Sequence, residues 1–138
     1  MLVDGKTTEW RWPSFTPWEL RADRGHATPD NFQVWIDTQF LDAIQGLRSA
    51  FDKPLMVSSY YRSGAYNSRV SSTGAHGPHT SGRAIDFSIS GEDAYLLLQR
   101  ALRMGFTGIG VNQKGPYAKR FIHIDTLTEK RPRVWSYS

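Results

Sequence analysis

The 138-residue chain has no cysteine. That excludes disulfides, thiolate metal ligands and a thiol nucleophile, and leaves the redox compartment open. It also lacks any apolar run near the ~18 residues that a membrane-spanning helix needs. The opening MLVDGKTTEWRW has neither the basic start nor the apolar core of a secretory signal. The expectation is therefore a product synthesised in the cytosol, without a signal peptide and without a membrane partner. Lysine and arginine are scattered instead of gathered in one run, and no nucleic-acid-binding motif occurs, so nucleic acid is not an expected partner. Repeats, low-complexity tracts, linkers and heptads are missing too, which makes a monomer the default.

What is present suffices for one core. With 39% hydrophobic and 13% aromatic residues, a chain of this size buries a core without cross-links. The expected organisation is a single domain over residues 1–138, with 1–14 as an N-terminal extension. The net charge of +4 suits an anionic partner. Thr16-Pro17-Trp18-Glu19 combines an N-cap, a proline at the first helical position and an acid at N3, the start of a short helix. Thr28-Pro29-Asp30 predicts another, in which Ile36, Phe40, Ile44 and Leu47 recur at helical spacing to about Ala50. Leu55 to Tyr60 reads as a strand, and Arg62 to Gly82 as a long functional loop. Ser90 to Asp93 caps a helix whose Tyr95, Leu98, Ala101 and Leu102 are expected inside, until Gly105 ends it. Gly108–Val111 and Arg120–Thr126 flank a turn cluster and predict a hairpin. This order predicts an α+β fold with a small antiparallel sheet, carrying a site on one face and helices on the other.

The chemistry concentrates in HTSGRAIDF, at His79 to Phe87, and FIHID, at Phe121 to Asp125. In the first, Ile85, Phe87 and Ile89 alternate towards a core, so Asp86 points the opposite way. In the second, Ile122 and Ile124 share one face while His123 and Asp125 share the other. With His79 at the mouth of the first strand, two imidazoles and a carboxylate form a ligand set that suits zinc, and three protein ligands with an open position is the catalytic pattern. Spacing by itself is a weak signal, because isolated His and Asp in a loop-rich chain are more often satisfied surface or core groups.

Further segments agree in one order. His79, Gly82, Ala84 and Asp86 followed by the His123 strand resemble the zinc D-alanyl-D-alanine carboxypeptidase family, which includes phage L-alanyl-D-glutamate endolysins and is related to hedgehog signalling domains. Ser58-Ser59-Tyr60-Tyr61-Arg62-Ser63 with Asn67 is similar to its "sgYRs…yN" segment. Gly108-Ile109-Gly110-Val111 is similar to its "GiGvY" strand, and Arg131-Pro132-Arg133-Val134-Trp135-Ser136-Tyr137 to its closing "R…W.Y". The resemblance runs from about Phe15 to the C-terminus. It implies that His79, Asp86 and His123 bind zinc and that Arg62 lies beside the substrate.

Two positions depart from the pattern. Gly77 stands where the family usually has serine, a contact that Ser81 or His76 replaces in part. Arg120 stands where several members carry the acid that serves as general base, and arginine cannot accept a proton. Asp125 has two readings in consequence. It is the substitute base, sharing a face with His123 and lying about 7 Å further along the strand, or it is an acceptor orienting an imidazole N–H. Arg62 would either clamp a substrate carboxylate or pair with an acidic neighbour on the surface, and His76 would either donate to the developing oxyanion or stand solvated in its Gly-Pro loop. The implied activity is a zinc metallopeptidase cutting amide bonds in bacterial peptidoglycan stem peptides or D-amino-acid fragments, of the L-Ala-D-Glu endopeptidase or D-Ala-D-Ala carboxypeptidase type. A phage endolysin released through a holin, or a virion component, would bring it to the wall. The alternative is an inactive zinc-bearing wall-binding or phage structural module.

Overall fold

The structure, a computed structural model, describes residues 1–4, 9–21, 28–29, 32–60, 62, 74 and 77–138. Strands β1 (Leu2–Asp4) and β2 (Gln33–Trp35) pair antiparallel. Helix α1 (Thr38–Phe51) leads into β3 (Met56–Ser59), and β4 (Ala84–Ser88) precedes helix α2 (Gly91–Arg103). Then come β5 (Gly108–Asn112), β6 (Phe121–Asp125) and β7 (Arg133–Ser136). The last five strands form one sheet in the order β3-β4-β6-β5-β7, antiparallel except for the parallel β5–β7 edge. The α+β expectation holds.

One sheet face is apolar. Val57, Ile85, Phe87, Ile109, Ile122 and Ile124 are buried there in one cluster with Phe40, Leu41, Ile44 and Leu47 of α1 and Ala94, Leu97 and Ala101 of α2. Strand alternation then sends Asp86, His123 and Asp125 to the opposite face. Val3 and Trp12, within the first 14 residues, join the same core.

Three local expectations change. The long helix begins at Thr38, where the Asp37 carboxylate accepts from Phe40 N at 2.8 Å, ten residues later than Thr28 suggested. Gln33–Trp35 is instead a strand whose exposed–buried–exposed pattern seats Val34 against β1. Ile36 prolonged the apparent helical stripe because it is buried from an extended segment. In α2, Tyr95 and Leu102 are exposed, and the inward row is Ala94, Leu97 and Ala101. Tyr95 and Leu102 each stand one residue, about 100° around the helix, past that row, so phase and not side-chain size decides burial. Near the start, Thr16 N donates to Glu19 Oε1 (2.6 Å) and Glu19 N to Thr16 Oγ1 (3.3 Å), the expected reciprocal cap, but on one 3-10 turn, Trp18–Leu20.

Candidate metal centre

His79 stands on a single 3-10 turn, Pro78–Ser81, just before β4. Tyr60 holds that turn at two points: its backbone oxygen lies 2.7 Å from His79 Nδ1, and its phenol donates to Gly82 O at 2.6 Å. Gly82 is left-handed (φ 73°), and a Cβ there would meet Trp35 O at 2.9 Å, so only glycine closes the turn without strain. Ser81 adds bonds to Pro78 O and from Arg83 N.

Asp86 and His123 are register partners on β4 and β6. The His123 ring has a carboxylate on each nitrogen: Nδ1 is 2.9 Å from Asp86 Oδ1, and Nε2 is 2.8 Å from Asp125 Oδ2. His79 Nε2 reaches the same Asp86 Oδ1 at 3.3 Å. All three residues are buried, and one ligand atom from each lies within 4.8 Å of the others.

The donor chemistry fits a cation. A backbone carbonyl only accepts, so His79 Nδ1 carries a hydrogen. Asp125 faces Arg131, so it is ionised and His123 Nε2 carries one too. In neutral rings, His79 Nε2 and His123 Nδ1 therefore both aim lone pairs at a carboxylate oxygen. Only a proton or a metal ion between them relieves that convergence, and two imidazoles with one carboxylate is a zinc donor set. Each imidazole also has its far nitrogen fixed by an oxygen acceptor, as zinc-binding histidines do. Burial opposes ionisation of Asp86, but the two imidazoles outweigh it and hold the carboxyl well below its usual range. For His123, burial opposes the charge, and the bonds to Asp125 and Asp86 outweigh it and raise the pKa.

Asp125 is fully buried, with four donors on its two oxygens: Leu127 N (3.2 Å) and Arg131 Nε (3.0 Å) on Oδ1, and His123 Nε2 (2.8 Å) and Arg131 NH2 (2.7 Å) on Oδ2. A carboxylate offers about four acceptor sites, so its capacity is filled. Burial would raise its pKa, but the bonds from His123 and Arg131 prevail and lower it. Arg62 N donates to His79 O at 3.0 Å, and its charge acts on the Tyr137 phenol, which places it beside the site. His76 lies outside the described residues, as do Tyr61, Ser63 and Asn67. Arg120 bonds Gly115 O at 3.0 Å and lies over the Tyr117 ring, in the β5–β6 turn.

Sequence reasoning missed the far wall. Asp86, His123, Gly110 and Trp135 are successive register partners across four strands. Because Gly110 has no side chain, Trp135 lies over it towards His123, ring centroids 5.1 Å apart. A Cβ on Gly108 would fall 2.1 Å from Asp125 Oδ1. The two glycines of Gly108-Ile109-Gly110 on the site face were the available signal. A hollow of about 360 Å³ adjoins the His79 turn, its lining including Thr80, Arg83, Glu129, Lys130 and Arg131.

On the open face of a small α+β sheet, His79, Asp86 and His123 thus form a buried group that could hold a metal ion. The family model for peptidase M15 matches residues 13–125, and the chain belongs to that family, whose members are zinc-dependent metallopeptidases. A search of the curated proteins found no match.

Proposed function

We propose that the chain hydrolyses amide bonds in bacterial peptidoglycan stem peptides or D-amino-acid fragments of them, as an L-Ala-D-Glu endopeptidase or a D-Ala-D-Ala carboxypeptidase. In this reading it acts as a phage endolysin or virion-associated wall hydrolase, released through a holin or carried on the particle. The carrying observation is the convergence of His79 Nε2, His123 Nδ1 and Asp86 Oδ1 beside Arg62. No helix among the described residues is long and apolar enough to cross a membrane.

His79, Asp86 and His123 would hold zinc, which when bound supplies Lewis acidity and a nucleophilic water at neutral pH. Tyr60 and Asp125 fix the two imidazoles. With its acceptor sites filled, Asp125 suits the orienting role of its two readings better than that of base. Arg62 would take a substrate carboxylate through its paired N–H groups, and His76 would donate to the oxygen that gains charge. With Arg131 paired to Asp125, the lining of the neighbouring hollow still sets Arg83 and Lys130 against Glu129, a positive balance that suits an acidic peptide such as one containing D-Glu.

Arg120 favours a second reading, a zinc-bearing wall-binding module, because the acid usual at that position is replaced by a side chain held in the turn. Release of amines from purified peptidoglycan by zinc-loaded protein, with and without chelator and with mass identification of fragments, separates the two. Chelator-sensitive release identifies the peptidase and its bond. Binding of zinc and wall without release identifies the module.

A further inference from the structure

Tyr137 follows β7, on the C-terminal side of the site. Its ring packs on Phe121, centroids 4.9 Å apart, and its phenol oxygen lies 2.7 Å from where a Cβ on Gly110 would sit, as does Trp135 Nε1. Gly110 is the register partner of His123, so this oxygen lies on the site face, one strand from a proposed ligand. Strands are ~4.8 Å apart, within the span of one scissile amide and its substituents. The indole nitrogen and the phenol oxygen are thus neighbours over Gly110, and since an indole nitrogen can only donate, a contact between them leaves the phenol's own hydrogen to point elsewhere.

Resting on the peptidase reading above, we infer that Tyr137 is a catalytic residue whose phenol O–H donates a hydrogen bond to the substrate carbonyl oxygen as that oxygen becomes an oxyanion, with Trp135 as the positioning residue that aims it. The phenol keeps its proton throughout. A donor already fixed where charge develops stabilises the transition state without reorganising. The group is suited to this: burial pushes its pKa up to about 12, so it remains a donor at neutral pH. Gly110 completes the device, since any side chain there would occupy the space of both the indole and the phenol.

The test is Tyr137→Phe in the zinc-loaded full chain, which removes one oxygen and keeps the ring against Phe121. Expected are a kcat lowered about 100-fold, the loss typical of one oxyanion donor, a KM within about threefold, and unchanged zinc content and unfolding midpoint. A phosphinate isostere of the cleaved bond mimics the tetrahedral oxygens, and its affinity should fall by a similar factor. Trp135→Phe keeps a ring beside His123 but loses the N–H, and should lower kcat about 10-fold with KM little changed. A Tyr137→Phe enzyme with kcat and phosphinate affinity both within threefold of the parent overturns the inference alone. A parent protein that cleaves no peptidoglycan amide overturns the peptidase reading and this inference together.

Discussion

Arg131 grips both oxygens of Asp125, Nε on Oδ1 at 3.0 Å and NH2 on Oδ2 at 2.7 Å, beneath the His123 imidazole. This bidentate pair is mostly buried. Removing the guanidinium alone leaves an uncompensated buried carboxylate. Arg131→Met should therefore destabilise the protein by about 3–5 kcal/mol, read as a lower denaturant midpoint; a loss below about 1 kcal/mol would show that solvent already screens the pair.

Asp125→Asn separates the two roles of that residue. If Asp125 orients His123, zinc affinity should weaken about 10–100-fold, measured by competition with a chromophoric chelator. Turnover should then recover most of its value at saturating zinc. Unchanged zinc affinity with turnover reduced ~100-fold would restore Asp125 as the proton acceptor.

His79, Asp86 and His123 together should bind one zinc per chain, measured by metal analysis after dialysis. His79→Ala and His123→Ala should each abolish retention. In the parent protein, zinc at about 100 times its Kd should add about 2.7 kcal/mol of stability. Retention by both variants would mean that the ion lies elsewhere.

Without metal, the site should give a stability maximum in pH. Asp86 and Asp125 have lowered pKa values, so their contribution is complete above the unfolded carboxylate value of about 4 and is lost as pH falls towards the folded values. His123 has a raised value, so its contribution is complete below about 6.5 and is lost as pH rises through its folded pKa. Melting of the zinc-free protein should peak between about pH 5 and 6.5. A melting temperature still rising at pH 8 would contradict the His123 assignment.

Gly108→Ala tests the close packing behind the centre. The new methyl would fall 2.1 Å from Asp125 Oδ1, and that carboxylate is fixed by four donors, so it cannot swing aside cheaply. Expected is loss of at least about 3 kcal/mol or failure to fold, while Gly115→Ala, in open space but at φ 76°, should cost about 1 kcal/mol from backbone strain alone.

Strand alternation is a local property, so AIDFS and FIHID by themselves determined which residues enter the core and which rise to the opposite face. The α+β class followed from the order of such segments. Helix phase was less legible: Ala94, Leu97 and Ala101 form the inward row of α2, and Tyr95 and Leu102, each one residue and so about 100° further round the helix, are exposed. Which atoms meet was decided only by the tertiary structure. Register sets Asp86 against His123 and Gly110 against Trp135, and a register shift of one residue would send each to the other face. Tyr60, Arg131 and Tyr137 stood in segments that resembled the family pattern, but what each touches had no local signature, because Tyr60 meets His79 and Gly82, and Tyr137 meets Phe121, only once distant segments have closed around the sheet.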